Sequence, residues 1–176
     1  MPLNRILFFP LLLAVFLCTA LQSYAQENYK YDADRNSQAI EWVFHKVSRH
    51  NVLQTPTDED LIETTEKKYS NFKIKIQNGT LNIIGSTGGL VCSIDYVRLK
   101  KTPLNYWMAQ STVNLYETLF AAENIPLQAM IYEVTATTPA DDCTEPFGAF
   151  IDNAGLLITV IDSGYLLVFQ KITSEK

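Results

Sequence analysis

Few side chains in this sequence are of a type and spacing that does chemistry. There are two histidines, His45 and His50. Five positions apart, they fall on opposite faces of a strand, or about 140° apart on a helix, so they do not form a two-histidine metal face. A helix-borne zinc pair would place them one turn apart with a glutamate between. Both read as solvating surface groups. The run Gly85-Ser86-Thr87-Gly88-Gly89 lacks the lysine and the following helix of a phosphate loop, and reads as a β-turn. No Gly-x-Ser-x-Gly elbow is present, and nothing marks a serine as the nucleophile of a Ser–His–acid triad. Paired carboxylates are the remaining option. Asp141, Asp142 and Glu145 share one loop with Cys143. A glycosidase pair stands about 5–9.5 Å apart across a cleft, whereas adjacent loop acids are ordinarily solvated charge. The expectation is a non-enzyme with no metal and no cofactor.

The cysteines carry compartment information. Cys18 lies in a segment, residues 1–25, that reads as a secretory signal peptide. Arg5 is its basic start, an apolar run extends from Ile6 to about Leu17, and Ser23-Tyr24-Ala25 puts small residues where a signal peptidase reads them. Cleavage after Ala25 would leave Gln26 first and a net charge of −6 in place of −5. Pro10 interrupts the run, which is shorter than the roughly 20 residues of a spanning helix, so no membrane span is expected after cleavage. Leu17 is too bulky for the position before a lipidated Cys18. Cys92 and Cys143 then remain, 51 positions apart. An even count in an exported chain predicts a disulfide between them, worth about 4 kcal/mol in the loop-entropy account. The alternative is one buried thiol and one loop thiol. No Cys-x-x-Cys pair or nearby histidine suggests zinc.

Aromatic residues offer binding rather than catalysis. Leu104-Asn105-Tyr106-Trp107-Met108 follows Pro103, reads as the end of a strand, and gathers the types that interfaces favour. Core filling is the plain alternative. In the binding reading, Asp141, Asp142 and Glu145 form a negative rim and Tyr106 or Trp107 an anchor. Rim charge then sets the association rate, and a buried aromatic sets the dissociation rate.

Such groups need elements to hold them. The segment 26–37 is polar and reads as flexible, and 38–176 reads as a single globular domain. Residues 39–49 fit either a helical stripe (Ile40, Val43, Phe44, Val47) or strand alternation (Ile40, Trp42, Phe44). Residues 58–69 read as a helix: Thr57 is a good N-cap, acids follow it, and Lys67 and Lys68 lie in the last turn. Phe72, Ile74 and Ile76 alternate with polar residues before Asn78-Gly79, a hairpin turn that sets Ile76 opposite Leu81 and Ile74 opposite Ile83. Leu90 to Leu99 alternates with Cys92, Ile94 and Tyr96 on one face. Residues 111–124 read as a helix with Ser111 or Thr112 near its cap and Val113, Tyr116, Leu119 and Phe120 inward, stopped by Pro126. Leu127 to Ala136 is strand-like, and three short strands close the chain at about 147–151, 156–161 and 165–171. The fold class is mainly β with two or three helices, an antiparallel meander forming a barrel or a strongly curved sheet. An α+β sheet with helices on one face is the alternative.

An early Trp42, a meander of short strands and a terminal strand ending Tyr165-Leu166-Leu167-Val168-Phe169-Gln170-Lys171 resemble the lipocalin-like β-barrels over about 130 residues. That family places a glycine two residues before its first tryptophan, where this chain has Ile40, and its main helix follows the barrel, whereas one helix here is inserted early. The resemblance implies a barrel and, if the interior has room, a carrier of a small apolar ligand.

Composition narrows the classes further. With 47% apolar and 11% aromatic residues and only 7 Gly and 7 Pro, neither a disordered nor a collagen-like chain is compatible. A net charge of −5 argues against nucleic acid as a partner. The expected function is an exported, periplasmic or secreted bacterial inhibitor or immunity protein that binds a toxin or a cell-envelope hydrolase. The alternative is the lipocalin-like carrier.

Overall fold

Period-two alternation in this chain closes on itself. The computed structural model describes residues 39–77, 79–137, 147 and 149–172. Eight strands are present: β1 (Ile40–Asn51), β2 (Lys73–Gln77), β3 (Thr80–Ile84), β4 (Leu90–Lys101), β5 (Ile131–Ala136), β6 (Ala149–Asn153), β7 (Leu156–Val160) and β8 (Tyr165–Lys171). Each pairs antiparallel with the next, and β8 returns to β1 to complete a closed barrel. Closure leaves no sheet edge to template another chain. Among the described residues three helices accompany it: α1 (Glu59–Tyr69), α2 (Pro103–Trp107) and α3 (Gln110–Ala122). None of the described helices is long and apolar enough to cross a membrane.

The β2–β3 hairpin has the predicted register, Ile76 opposite Leu81 and Ile74 opposite Ile83, with Gly79 at φ 80°. Residues 39–49, open between helix and strand, are strand. Only an extended β1 can pair with β2 on one side and β8 on the other. β1 is not regular. Two of its residues oppose one of β8 between Phe44 and Lys46, and four oppose two between Val47 and Asn51. In the second irregularity buried Ser48 stands in for the broken ladder: its Oγ accepts the Leu166 N–H at 2.8 Å and donates to the His50 carbonyl at 2.6 Å.

Inside the barrel, Trp42, Ile74, Ile83, Cys92, Val134 and Phe169 belong to one buried cluster. A chain of ring contacts runs from Phe44 through Phe169 and Phe150 to Phe147, each 5.9–6.4 Å between centroids. β1 has 12 residues and β2 only 5, so β1 outruns its neighbour. α1 occupies that gap: Ile62 and Tyr69 join the interior cluster, and Tyr69 meets Phe72 edge-on at 5.0 Å. Alternation also puts Arg98, Tyr132 and Asp152 on the inner face, beyond Tyr96 and Phe150. Arg98 lies 3.4 Å from the Tyr132 ring centroid and donates to Asp152 Oδ2 at 2.7 Å, a charged pairing beside the apolar interior cluster.

A second apolar layer lies outside the sheet. Leu166 and Val168, the outward residues of β8, are fully buried with Leu119 and Phe120 of α3 and with Ile131, Ile151 and Ile158. β8 is therefore apolar on both faces, which is why Tyr165–Phe169 reads as an unbroken hydrophobic run rather than an alternation.

Three local expectations need correction. Asp58, not Thr57, caps α1: its side chain accepts the Leu61 N–H at 3.0 Å, while Thr57 Oγ1 donates to the Arg49 carbonyl at 3.1 Å. The Pro103–Trp107 segment is helix rather than strand end. Thr102 caps it and Pro103 takes its first turn, the position where a missing N–H costs nothing. α3 begins at Gln110 after Ala109, with no side-chain cap, so neither Ser111 nor Thr112 serves as one.

Candidate functional site

The described residues expected to form a site lie on two different elements. Asp141, Asp142, Cys143 and Glu145 lie outside the described residues. Cys92 is on β4, 4% exposed, on the inner face of the barrel. Tyr106 and Trp107 are on α2, outside the barrel, and are half-buried components of the outer layer.

α2 and α3 build an aromatic platform. Trp107 stacks on Tyr116 at 4.4 Å and meets Phe120 edge-on at 6.4 Å, and Tyr106 meets Trp107 edge-on at 5.2 Å. Burial, reinforced by the nearby Glu133 carboxylate, pushes the Tyr106 phenol up to about 12. Burial also raises Tyr116, with a hydrogen bond from Trp107 partly opposing it. Both phenols are thus neutral and packed at neutral pH. The flanking residues remain outside: Leu104 is 48% and Met108 87% exposed. Met108 ends α2 at φ 59°, a left-handed conformation that turns the chain sharply toward α3.

The other region lies at the far end of α3. Glu123 follows the last helical residue, where the helix dipole disfavours an acid. Its side chain is 3% exposed and receives four donors. Lys46 Nζ reaches Oε2 at 2.8 Å, while the Arg49 N–H (2.7 Å), the His50 N–H (2.9 Å) and His50 Nδ1 (2.9 Å) converge on Oε1. Burial alone would raise this carboxyl. The bonds from Lys46 and His50 outweigh it and hold Glu123 below its ordinary range. The two backbone donors come from the irregular stretch of β1, where the sheet leaves them without ladder partners, so Glu123 both pins α3 to the barrel and completes β1.

His50, read from sequence as a solvating histidine, has an exposed ring whose Nδ1 is held by that buried carboxylate. It stands at one end of a groove of about 560 Å³ between α3 and the 50–57 loop, with Ser111, Asn114 and Thr118 along the helix side. A Ser–His–acid triad does not follow. Ser111 and Glu123 are twelve residues apart on one helical axis, about 18 Å at the helical rise, so Ser111 is at the opposite end from the His50–Glu123 pair. Sequence reading missed Glu123 and Lys46, which are 77 positions apart. The one available signal was an acid where a helix end favours a base.

No protein family, curated protein or solved structure matches the chain.

Proposed function

We propose that this chain is an exported binding protein without catalytic activity, a periplasmic inhibitor or immunity protein that uses the barrel as a rigid frame and engages a protein partner through α2. The observation that carries the reading is Leu104 and Met108, exposed apolar side chains mounted on the packed Tyr106–Trp107–Tyr116 stack. An anchor held by rings that are already ordered loses little conformational freedom on binding. Tyr106 and Trp107 serve in this reading as the platform, with Leu104 and Met108 making the contact, so that the expected anchor moves to the residues that flank the pair. The acidic loop with Asp141, Asp142 and Glu145 remains the proposed rim, and export follows from the signal-peptide reading of residues 1–25.

The test is affinity capture from the native cell envelope with the wild-type chain and with a Leu104→Ser/Met108→Ser double variant. Both changes are on the surface, so the variant's stability should stay within about 0.5 kcal/mol of wild type. The expected result is a cell-envelope toxin or hydrolase retained by wild type and lost by the variant. Equal retention by both, or no specific retention by wild type, rejects the α2 surface.

One observation favours the lipocalin-like carrier instead. Trp42 is 3% exposed, and its indole Nε1 has no hydrogen-bond partner among the described residues. A buried donor without an acceptor is costly, and a bound ligand carrying a carbonyl or carboxylate oxygen would satisfy it. Organic extraction of the denatured protein as purified, followed by mass spectrometry, separates the readings. The carrier reading expects a stoichiometric small molecule with a carbonyl or carboxylate oxygen in the extract, and its absence counts against an occupied lumen.

A further inference from the structure

The groove between α3 and the 50–57 loop has a chemistry of its own. Its helix wall alternates hydroxyl and amide side chains (Ser111, Asn114, Thr118) with the apolar flank of Leu115 and Leu119. The loop wall offers Gln54, Thr55 and Thr57. Among the described residues, the His50 imidazole is the one titratable side chain that lines it. On β1, Lys46 is engaged with Glu123 and Arg49 with Glu59. Along α3 from Ser111 to Ala122 the groove runs for about 16 Å at the helical rise, and its volume of about 560 Å³ falls within the roughly 300–1,000 Å³ of small-molecule sites.

The walls are also preformed. Asn51 ties the loop to itself: Nδ2 donates to the Thr55 carbonyl at 3.2 Å, and Oδ1 accepts the Thr55 N–H at 3.1 Å and hydroxyl at 3.2 Å. Thr57 fastens the far end of the loop to Arg49. Glu123 fixes the His50 ring through Nδ1, leaving the Nε2 edge as its other polar group. On α3, Gln110 Nε2 donates to Asn114 Oδ1 at 2.8 Å, which leaves the Asn114 amide nitrogen as the group to donate to a guest. Hydrogen-bonding groups held before a ligand arrives bind it at lower entropic cost.

From these observations we infer that the groove is a binding site for a short neutral saccharide, one or two sugar rings long. Uncharged hydroxyl and amide groups on both walls match a molecule that donates and accepts hydrogen bonds around its rim. The half-buried Leu115 side chain matches the apolar face of a sugar ring. An anionic ligand would find no lysine or arginine among the described lining residues, and a ligand with both hydroxyl groups and an apolar face matches a lining that is polar in its side-chain ends and apolar between them. The site is separate from the α2 surface and does not depend on it.

The experiment is titration of the full chain with N,N′-diacetylchitobiose, maltose and glucuronate, followed by backbone amide NMR. At least one neutral sugar should move the amides of residues 50–57 and 111–122 at millimolar concentration and leave those around Leu104 and Met108 unmoved. Thr118→Val and Asn114→Ala, both on the exposed side of α3, should each weaken that binding about tenfold, the value of one lost hydrogen bond. His50→Gln retains a donor for Glu123 and should weaken binding while leaving the unfolding transition in place. Absence of amide shifts with both neutral sugars at tens of millimolar, shifts confined to another surface, or glucuronate binding as tightly as the neutral sugars would each overturn the assignment.

Discussion

Both faces of β8 are buried, but by different means. Inside, Tyr165, Leu167 and Phe169 pack among residues from the other strands, and α1 adds Ile62 and Tyr69. Outside, Leu166 and Val168 depend on α3 and the residues just after it, with α2 alongside. Many strands support the inner layer, and neighbours on every side hold each side chain. The outer layer rests on α3, whose C-terminal end is fastened through one carboxylate, Glu123. The lesson is a division of labour. The lumen is redundant and makes the barrel rigid, whereas the outer layer has open margins. Exposed apolar residues, a preformed groove and a buried ion pair all occur at those margins.

Cavity mutants probe this difference most strongly. Phe169 and Phe120 are both fully buried, one in each layer. Phe169→Ala should lower stability by about 4–5 kcal/mol, because a closed sheet cannot move in to fill the space. Phe120→Ala should cost about 3 kcal/mol, since α3 can settle onto the barrel. Urea unfolding of both variants measures the gap, and equal losses would mean that the outer layer is as rigid as the lumen.

A disulfide would tie the layers' shared sheet to the acidic loop. If Cys92 and Cys143 are linked, non-reducing peptide mapping will recover them as one species, and reduction will cost about 4 kcal/mol of stability. Both thiols alkylating in the folded oxidised chain would exclude the bridge.

A smaller effect should come from Glu123→Gln, which leaves Lys46 with a weaker partner and the Arg49 and His50 amides with a poorer acceptor. A loss of about 2–3 kcal/mol at neutral pH is expected. The sign of the pH dependence follows from the direction of the shift. Glu123 titrates below its ordinary value of 4.5 in the folded chain, so its contribution is fully present above that value and is lost as pH falls through the lower folded value. Wild type should therefore lose more stability than Glu123→Gln across that acidic window. Parallel pH profiles of the two proteins would show that the carboxylate is not what fastens α3.

Much of the barrel is legible from sequence because strand alternation and turn chemistry are local. The Asn78-Gly79 pair and the flanking isoleucines determine the β2–β3 register, and Cys92, Ile94 and Tyr96 announce the inner face of β4. Pro126 is outside α3 for an equally local reason, its missing N–H. The Thr102–Pro103 start of α2 was legible by the same rule but was overshadowed by the preceding strand.

Residues 40–51 show where local reading stops. Their side chains satisfy both periods, and the choice was made by neighbours 30 and 120 positions away that needed a partner to close the sheet. Closure also imposed the irregularities of β1, which freed the Arg49 and His50 amides, and Glu123 from the end of a distant helix supplied the acceptor. No spacing along the chain encodes that meeting. The sequence by itself determined most of the strands and their turns. Only the tertiary structure decided which histidine is held, which aromatics stack on one another, and where a groove opens. Those properties depend on backbone groups left unpaired by closing the barrel, and a buried donor must find its acceptor wherever the fold brings one within reach.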